Sequence, residues 1–114
     1  MYKIHAIYQP REDGKFDFEH YFKVHVPLAR KQHRIGGLNV LRMEVNTECN
    51  LLLEPESQYS PLTYSLYFES LEDIEAFREY LKSPVTEPLK EDVPKYTNCE
   101  LTWTYCEVHE LPPE

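Results

Sequence analysis

The residues best suited to chemistry lie within residues 16–28, a stretch with two histidines, four aromatic rings and a proline. His25 is the candidate proton carrier, because an imidazole titrates nearest to neutral pH. Tyr21 precedes His25 by four residues, so a helix would place both side chains on one face, where they could line one pocket or simply pack together. The alternative for His25 is a core histidine bonded to the carbonyl of Lys23, for which Pro27 has no N–H.

Length and composition limit the class of protein. A chain of 114 residues has the size of one domain, and we expect a single domain over residues 1–114. The hydrophobic content of 41% and the aromatic content of 13% are too high for a disordered chain, despite a formal charge of -8. The acidic balance predicts no nucleic-acid partner, because binding to phosphates needs clustered basic residues.

The three cysteines are expected to be reduced thiols. Cys99 and Cys106 lie seven residues apart in one predicted strand, so their side chains point to opposite faces and cannot form a disulfide, and Cys49 stands alone. This usage favours a cytoplasmic protein. No stretch approaches the ~18 apolar residues of a membrane span, and the N-terminus lacks a long apolar segment, so we expect neither export nor a membrane partner.

A first helix is predicted to begin after Asp17, whose carboxylate can accept the free N–H groups of the first turn. Its inward stripe consists of side chains at helical spacing, namely Phe18, Tyr21, Phe22 and His25. Pro27 predicts a kink or a break beside His25, after which the helix continues to about Arg34.

Alternating apolar and polar residues predict strands at residues 2–8, 63–69 and 99–109. A short apolar segment bounded by glycines predicts a further strand at residues 38–45, with a helix as the weaker alternative. A second helix is predicted from Ser70, which can form a capping box with Asp73, to residue 83. Three prolines limit residues 85–92 to one or two short helical turns, and residues 47–61 are predicted to be a long connection.

The resulting order, β-α-β-β-α-β, predicts the α+β class. It is typical of a ferredoxin-like fold, in which two helices cover one face of a four-stranded antiparallel sheet. The other face then lacks a cover. In a small domain an uncovered sheet with alternating apolar residues is an interface, so we expect a homodimer joined through the sheet faces.

Residues 21–28 read Tyr-Phe-Lys-Val-His-Val-Pro-Leu and resemble the Tyr-x-x-x-His-x-Pro-Leu signature of the EthD family, within the dimeric α+β barrel superfamily. Residues 68–77 are similar to that family's strand-to-helix segment, and residues 92–97 to the segment before its last strand. The resemblance covers most of the chain and implies a ferredoxin-like dimeric α+β barrel with a pocket between sheet and helices. The chain departs from the family in the polar connection at residues 47–61 and in its aromatic-rich last strand.

The resemblance also makes Asp92 the candidate to orient or charge-pair with His25, because it places the segment of Asp92 near the site. The alternative is a solvated carboxylate within the charged residues 90–92. Flat walls for an aromatic ligand are expected from aromatic side chains, namely Tyr8, Tyr21, Phe22, Phe68, Tyr96 and Trp103. Each of these could instead belong to the core or to a dimer interface.

No metal site is predicted. His20 and His25 are five residues apart and are expected on different sides of the helix, and no pair of His or Cys has ligand spacing. We expect no cofactor, the alternative being haem ligation by a lone histidine, which this superfamily allows.

The sequence predicts an enzyme or accessory protein that acts on a small apolar or aromatic molecule, with His25 moving a proton. Proton transfer next to a carbonyl would serve an isomerase, a dehydratase, a decarboxylase or a cofactor-free oxygenase. The resemblance implies a setting in oxidative, aromatic or ether catabolism. The second hypothesis is a non-catalytic small-molecule binding or carrier protein, and the third is a structural dimer with a filled core.

Overall fold

The computed structural model describes residues 1–114 and contains a four-stranded antiparallel sheet with helices on one face. The strands are β1 (Tyr2–Tyr8), β2 (Arg42–Asn50), β3 (Gln58–Phe68) and β4 (Leu101–Glu107). The helices are α1 (Phe18–His20), a π-helical turn (Tyr21–His25), α2 (Val26–Ile35), α3 (Leu71–Lys82), a 3-10 turn (Pro84–Thr86) and α4 (Glu87–Tyr96). This confirms the predicted α+β, ferredoxin-like class.

The sheet has the strand order β2-β3-β1-β4, so β1 and β3 are central. Ala6 pairs with Tyr64 on one side and with Trp103 on the other, which brings the middles of three strands together beneath the helices. The face toward the helices carries the large apolar side chains of the core, including Ile4, Leu62, Leu66 and Phe68. Helix α3 closes this core with Ile74, Phe77 and Tyr80.

Strand β1 has the predicted bounds, whereas β2 and β3 extend into the predicted connection at residues 47–61. Thr47 pairs with Leu62 and Cys49 with Ser60, so this connection is the tip of a hairpin. The apolar pattern fails here because ladder hydrogen bonds between backbones do not require alternating apolar side chains. Similarly, β2 begins at Arg42 and not at residue 38, since Leu38 and Val40 pack against the core without pairing.

The outer face of the sheet is more polar than the alternation suggests. His5 bonds through Nδ1 to the hydroxyl of Ser65 at 2.8 Å, and Asn46 donates to the hydroxyl of Thr63 at 3.4 Å. This face also carries the apolar side chain of Ile7 and the ring of Tyr67. Because polar side chains lie among them, the face is not the apolar surface that was expected for a dimer interface. The homodimer through the sheet faces stays a prediction.

The first helix continues through Pro27 without a break. The backbone keeps right-handed helical angles through His20, Tyr21, His25 and Val26, while the N–H of Val26 bonds to the carbonyl of Tyr21, five residues back. This wider turn lies where the ring of Pro27 would otherwise meet the carbonyl of an α-helix, so it makes room for the proline. A π-helical turn replaces the predicted break.

The π-helical turn also changes which side chains face inward. Tyr21 and His25 are buried, but Phe18 and Phe22 are 41% and 46% exposed, so the predicted inward stripe is wrong for these two rings. The stripe assumed α-helical spacing over the whole segment, and one π turn rotates the residues around it away from that spacing.

Helix α3 begins with the predicted capping box, in which Ser70 and Asp73 each bond the other's backbone N–H. Helix α4 is longer than predicted, because Pro88 lies in its first turn, where no N–H is needed, and Pro94 lies in its last turn. The helix carries Asp92 and Tyr96 four residues apart, and both are buried. No helix of the structure is both long enough and apolar enough to cross a membrane.

The end of α2 offers a test of this packing. A Cβ on Gly36 would lie 2.6 Å from Cδ1 of the buried Tyr80 ring, whereas a Cβ on Gly37 would meet no atom within 4 Å but would sit at a φ of +68°. We expect Gly36→Ala to cost about 1 to 3 kcal/mol through overpacking and Gly37→Ala about 1 kcal/mol through backbone strain.

Urea unfolding measures both losses, and proton NMR follows the Tyr80 ring. Only Gly36→Ala should shift the Tyr80 resonances. Equal shifts in the two variants would contradict the described contact between Gly36 and Tyr80.

Candidate active site

A cavity of about 130 Å³ lies between the sheet and the helices. Its walls are mostly apolar, and its polar groups include two histidines, His25 and His33, and the tyrosines Tyr8, Tyr21, Tyr64 and Tyr80. An engineered apolar cavity of roughly 150 Å³ holds benzene, so a cavity of this size suits a molecule with one ring.

His25 is anchored by a buried carboxylate at the edge of this cavity. Its Nδ1 lies 3.0 Å from Oδ2 of Asp92, and Nε2 of His20 lies 2.9 Å from Oδ1 of the same carboxylate. Asp92 is 5% exposed, and His20 is the more exposed of the two histidines, at 24% of its side chain. One buried carboxylate therefore holds two imidazoles.

The π-helical turn explains why His20 and His25 meet. In an α-helix residues five apart point in different directions, as the sequence predicted, but in a π turn residues five apart lie one above the other. The prediction that these two histidines face different sides of the helix is therefore wrong. The same geometry removes the alternative for His25, whose Nδ1 bonds to a carboxylate and not to a freed carbonyl.

The carboxylate decides the tautomer of His25. An ionised Asp92 can only accept hydrogen bonds, so Nδ1 of His25 carries the hydrogen and Nε2 carries a lone pair. The nearest protein donor to Nε2 is the hydroxyl of Tyr96, at the long distance of 3.5 Å. That hydroxyl also bonds to the hydroxyl of Tyr8, which lines the cavity. The lone pair of His25 is thus only weakly engaged.

The charges of this cluster follow from burial and from the shared hydrogen bonds. Burial lowers the pKa of His25 below its ordinary value, although the hydrogen bond to Asp92 and its charge act in the opposite direction. Burial alone would raise the pKa of Asp92, but the hydrogen bonds from His20 and His25 outweigh it and lower that pKa. At neutral pH the cluster therefore contains an ionised carboxylate and a neutral His25.

The hydroxyls beside His25 stay protonated. Burial raises the pKa of Tyr8, and so does the neighbouring hydroxyl of Tyr96. Burial also raises the pKa of Tyr96 and of Tyr21. These groups can donate hydrogen bonds, and His25 is left as the basic group at this end of the cavity.

The structure brings together most of the residues singled out from the sequence. His25, Tyr8, Tyr21 and Trp103 line the cavity, while Asp92 and Tyr96 contact His25. The alternative reading of Asp92 as a solvated carboxylate is wrong, since it is buried.

Two of the predicted aromatic walls lie elsewhere. Phe22 points away from the cavity on the exposed side of the π-helical turn. Phe68 is fully buried at the end of β3, with its ring centroid 6.1 Å from that of Phe77, so it belongs to the core beneath α3.

A second polar cluster in the same cavity, centred on His33, was not predicted from the sequence. Its Nε2 lies 2.6 Å from the hydroxyl of Tyr64 and its Nδ1 lies 2.8 Å from the hydroxyl of Tyr80. Burial lowers the pKa of His33 to about 4, and burial raises the pKa of Tyr80 to about 12. The signal in the sequence is spacing, because His33 follows His25 by eight residues, which is about two helical turns on one face.

The structure has no group of three or more His, Cys, Asp or Glu side chains arranged to hold a metal ion. In the His20–Asp92–His25 cluster both imidazoles donate to the carboxylate, so the ligand atoms already satisfy one another. A cavity of about 130 Å³ cannot enclose a porphyrin.

The buried, neutral His33 predicts a pH dependence of stability. Its pKa falls from 6.5 in the unfolded chain to about 4 in the folded one, so the unfolded chain binds the extra proton between these values. The free energy of unfolding should therefore be highest above pH 6.5 and should fall by on the order of 3 kcal/mol between pH 6.5 and 4. His25, whose pKa is also lowered, acts in the same direction.

Urea unfolding at several pH values measures this slope. His33→Gln should be less stable than the parent at pH 7.5 but should lose less on acidification. A variant with the same pH slope as the parent would show that His33 is not buried in its neutral form.

No known family model matches the sequence, and no functionally curated protein matches it either. Solved structures do match the fold. An EthD-like protein from Ralstonia eutropha JMP134 superposes with a TM-score of 0.76 at 17% sequence identity, over 98% of this chain and 95% of the other. An EthD family protein from Bacillus halodurans C-125 has a TM-score of 0.64 at 22% identity, over 96% of this chain and 99% of the other.

A third structure, of an antibiotic biosynthesis monooxygenase, superposes with a TM-score of 0.50 at 11% identity, over 96% of this chain and the whole of the other. At these identities the likeness concerns the fold. The resemblance of residues 21–28 to the EthD signature and the superposition over the full length agree with each other. This chain therefore has the fold of the EthD-like proteins.

Proposed function

We propose that the protein is an enzyme that moves a proton on a small cyclic carbonyl compound without a tightly bound cofactor, with His25 as the base. One observation carries the proposal: a buried carboxylate, Asp92, holds Nδ1 of His25, which leaves the lone pair on Nε2 of a side chain that lines an apolar cavity. A histidine that is neutral, oriented and in reach of a bound molecule is what general base catalysis requires.

Asp92 acts on the reaction through His25. It fixes the ring and the tautomer, and its negative charge stabilises the imidazolium that forms when Nε2 takes a proton. Burial lowers the pKa of His25, so the base is neutral at pH 7. Asp92 acts in the opposite direction on this pKa, because its charge and its hydrogen bond stabilise the protonated ring. His20 holds the other oxygen of Asp92 and thereby positions the carboxylate.

The proposed step takes place on a carbon next to the carbonyl. The C–H bond breaks, its proton forms a bond to Nε2 of His25, and the electron pair moves into the carbonyl group to give an enolate. The imidazolium then returns a proton to the same carbon or to a conjugated one. An isomerase or a dehydratase could use this chemistry. A decarboxylase could use its second half, since loss of CO2 from the neighbouring carbon gives the enolate that the imidazolium protonates, and a cofactor-free oxygenase could use the same carbanion with molecular oxygen.

The shared fold supports a role in small-molecule chemistry but does not indicate one particular reaction. The EthD-like structures and the antibiotic biosynthesis monooxygenase share the fold, and the resemblance to the EthD signature favours a role in oxidative, aromatic or ether catabolism. The shape and the lining of the cavity favour a small apolar or aromatic molecule.

The second candidate is a non-catalytic binding or carrier protein. The predominance of apolar walls favours it, because such a cavity binds a ring without any chemistry. It predicts binding that does not depend on the protonation of His25. Exchange of carbon-bound hydrogen separates the two candidates, since only a base at the ligand can accelerate it.

Hydrogen–deuterium exchange tests the proposal without knowledge of the natural substrate. Cyclohexanone is incubated with the protein in heavy water, and deuterium next to the carbonyl is measured by proton NMR. We expect the protein to accelerate exchange, and His25→Gln to lower the protein-dependent rate by roughly 10²- to 10⁴-fold. Asp92→Asn should have an intermediate effect, because Nε2 remains but its orientation is lost.

The matched control is His109→Gln, which removes an exposed histidine of the C-terminal segment and should leave the rate unchanged. The rate should also fall as the pH is lowered through the pKa of His25, which lies below 6.5. Acceleration that survives His25→Gln would refute the role of His25. Binding of cyclohexanone without any acceleration would favour the carrier protein.

A further inference from the structure

The base chemistry proposed for His25 assigns no role to the cluster of His33, Tyr64 and Tyr80. All three side chains are buried and all three line the cavity. Each nitrogen of His33 has a tyrosine hydroxyl as its partner, at 2.6 Å for Tyr64 and at 2.8 Å for Tyr80. The cluster therefore needs an explanation of its own.

A count of hydrogens shows what the cluster offers to a ligand. A neutral imidazole has one N–H and each hydroxyl has one O–H, which gives three hydrogens for two hydrogen bonds. Whichever tautomer His33 adopts, one tyrosine donates to the ring, the ring donates to the other tyrosine, and this second tyrosine keeps a hydrogen. The chain thus ends in a free O–H donor.

The two distances indicate which tyrosine keeps that hydrogen. Hydrogen bonds donated by a hydroxyl are shorter than those donated by an N–H. The contact to Tyr64 is the shorter one, which favours Tyr64 as the donor to Nε2 and the Tyr80 oxygen as the acceptor from Nδ1–H of His33. The hydroxyl hydrogen of Tyr80 remains, and His33 is the one protein side chain to which this hydroxyl is bonded.

We infer that the Tyr80 hydroxyl is the recognition group for the oxygen of a bound ligand, and that this site takes a small cyclic ketone or enone. A buried donor that faces a cavity needs an acceptor, and the walls around it are mostly apolar, so a ligand oxygen is the natural partner. This inference rests on the proposed function only in identifying that ligand with the molecule whose proton His25 moves.

The chemistry of the walls favours an uncharged oxygen over a carboxylate. His33 offers no positive charge, since its burial keeps it neutral down to about pH 4. The ammonium of Lys90 is largely exposed and bonds to the carbonyl of Leu81 at 2.9 Å. An anionic ligand would lose its hydration without a buried cation to replace it, whereas a ketone needs only one donor.

The two clusters lie along one cavity. His25 and His33 lie eight residues apart on a continuous helix, a rise of roughly 12 Å, and both line this cavity. Use of both groups by one ligand requires the side chains of His25 and Tyr80 to converge across the cavity, so that a ring whose oxygen accepts from Tyr80 brings a neighbouring carbon to Nε2 of His25. The donor would also stabilise the negative charge that develops on the oxygen when the proton leaves.

Carbon NMR tests this site directly. Cyclohexanone with a ¹³C-labelled carbonyl is titrated into the protein, and the bound carbonyl shift and the Kd are measured. We expect a downfield shift relative to cyclohexanone in cyclohexane, which marks a hydrogen-bonded carbonyl. Tyr80→Phe should remove that shift and raise the Kd roughly three- to tenfold, and Tyr64→Phe should do less.

The matched control is Tyr67→Phe, which removes the hydroxyl of a buried tyrosine on the outer face of the sheet and should change neither value. An unchanged shift and Kd in Tyr80→Phe would overturn the inference. If Tyr80→Phe does not fold, the parent protein alone tests the inference. The inference is overturned if the bound carbonyl shift equals that in cyclohexane, or if neither cyclohexanone nor 2-cyclohexenone binds.

The same titration in His25→Gln separates this inference from the proposed function. The carbonyl shift and its dependence on Tyr80 should persist there, because Tyr80 does not need the base. If His25→Gln loses hydrogen–deuterium exchange but keeps the carbonyl shift, both the base role of His25 and the donor role of Tyr80 are supported. If the parent protein shows the carbonyl shift but catalyses no exchange, only the proposed function is refuted. If exchange depends on His25 but the carbonyl shift is the same in the parent protein and in Tyr80→Phe, only the donor role of Tyr80 is refuted.

Discussion

The carboxylate of Asp92, held between His20 and His25, is the interaction on which the candidate site depends. It joins the π-helical turn to α4 and fixes the ring that faces the cavity. A buried carboxylate is costly without partners, and here each oxygen accepts one N–H, so the ion stays charged and its pKa is lowered. The removal of either histidine would leave part of this charge unpaired. The arrangement therefore couples the local fold to the proton affinity of His25.

The cavity contains two polar clusters, one at His25 and one at His33, with different chemical roles. Nε2 of His25 has a lone pair that is only weakly hydrogen-bonded. Both nitrogens of His33 are hydrogen-bonded to tyrosine hydroxyls, so the hydrogen that is left for a ligand is the one on the Tyr80 hydroxyl. One cluster can accept a proton and the other can donate a hydrogen bond, and both are set in mostly apolar walls. In surroundings of low polarity such interactions are stronger than in water. Both clusters line the cavity in which a ring with one carbonyl is proposed to bind, which connects the two proposals.

Much of the architecture could be predicted from the sequence because it follows from local patterns. Alternation marked β1, and the spacing of Ser70 and Asp73 marked the start of α3. The π-helical turn could not be predicted, since the period of 3.6 residues was assumed throughout, and Phe22 was consequently placed inward. The hairpin strands depend on pairing across the sheet, and the cluster of His33 depends on tyrosines from β3 and α3. The spacing of His25 and His33 could place both on one helix face, but the pairing of distant strands and the tyrosine partners of His33 leave no periodic signal.

The proposed chemistry requires a single tautomer of His25, in which Nδ1 carries the hydrogen that Asp92 accepts and Nε2 carries the lone pair. Long-range ¹H–¹⁵N correlation NMR of the imidazole rings at pH 7.5 distinguishes the two nitrogens directly. We predict a pyrrole-type shift for Nδ1 and a pyridine-type shift for Nε2, and a loss of this strong preference in Asp92→Asn. A protonated Nε2 in the parent protein at that pH would contradict the account, because no base would then face the cavity.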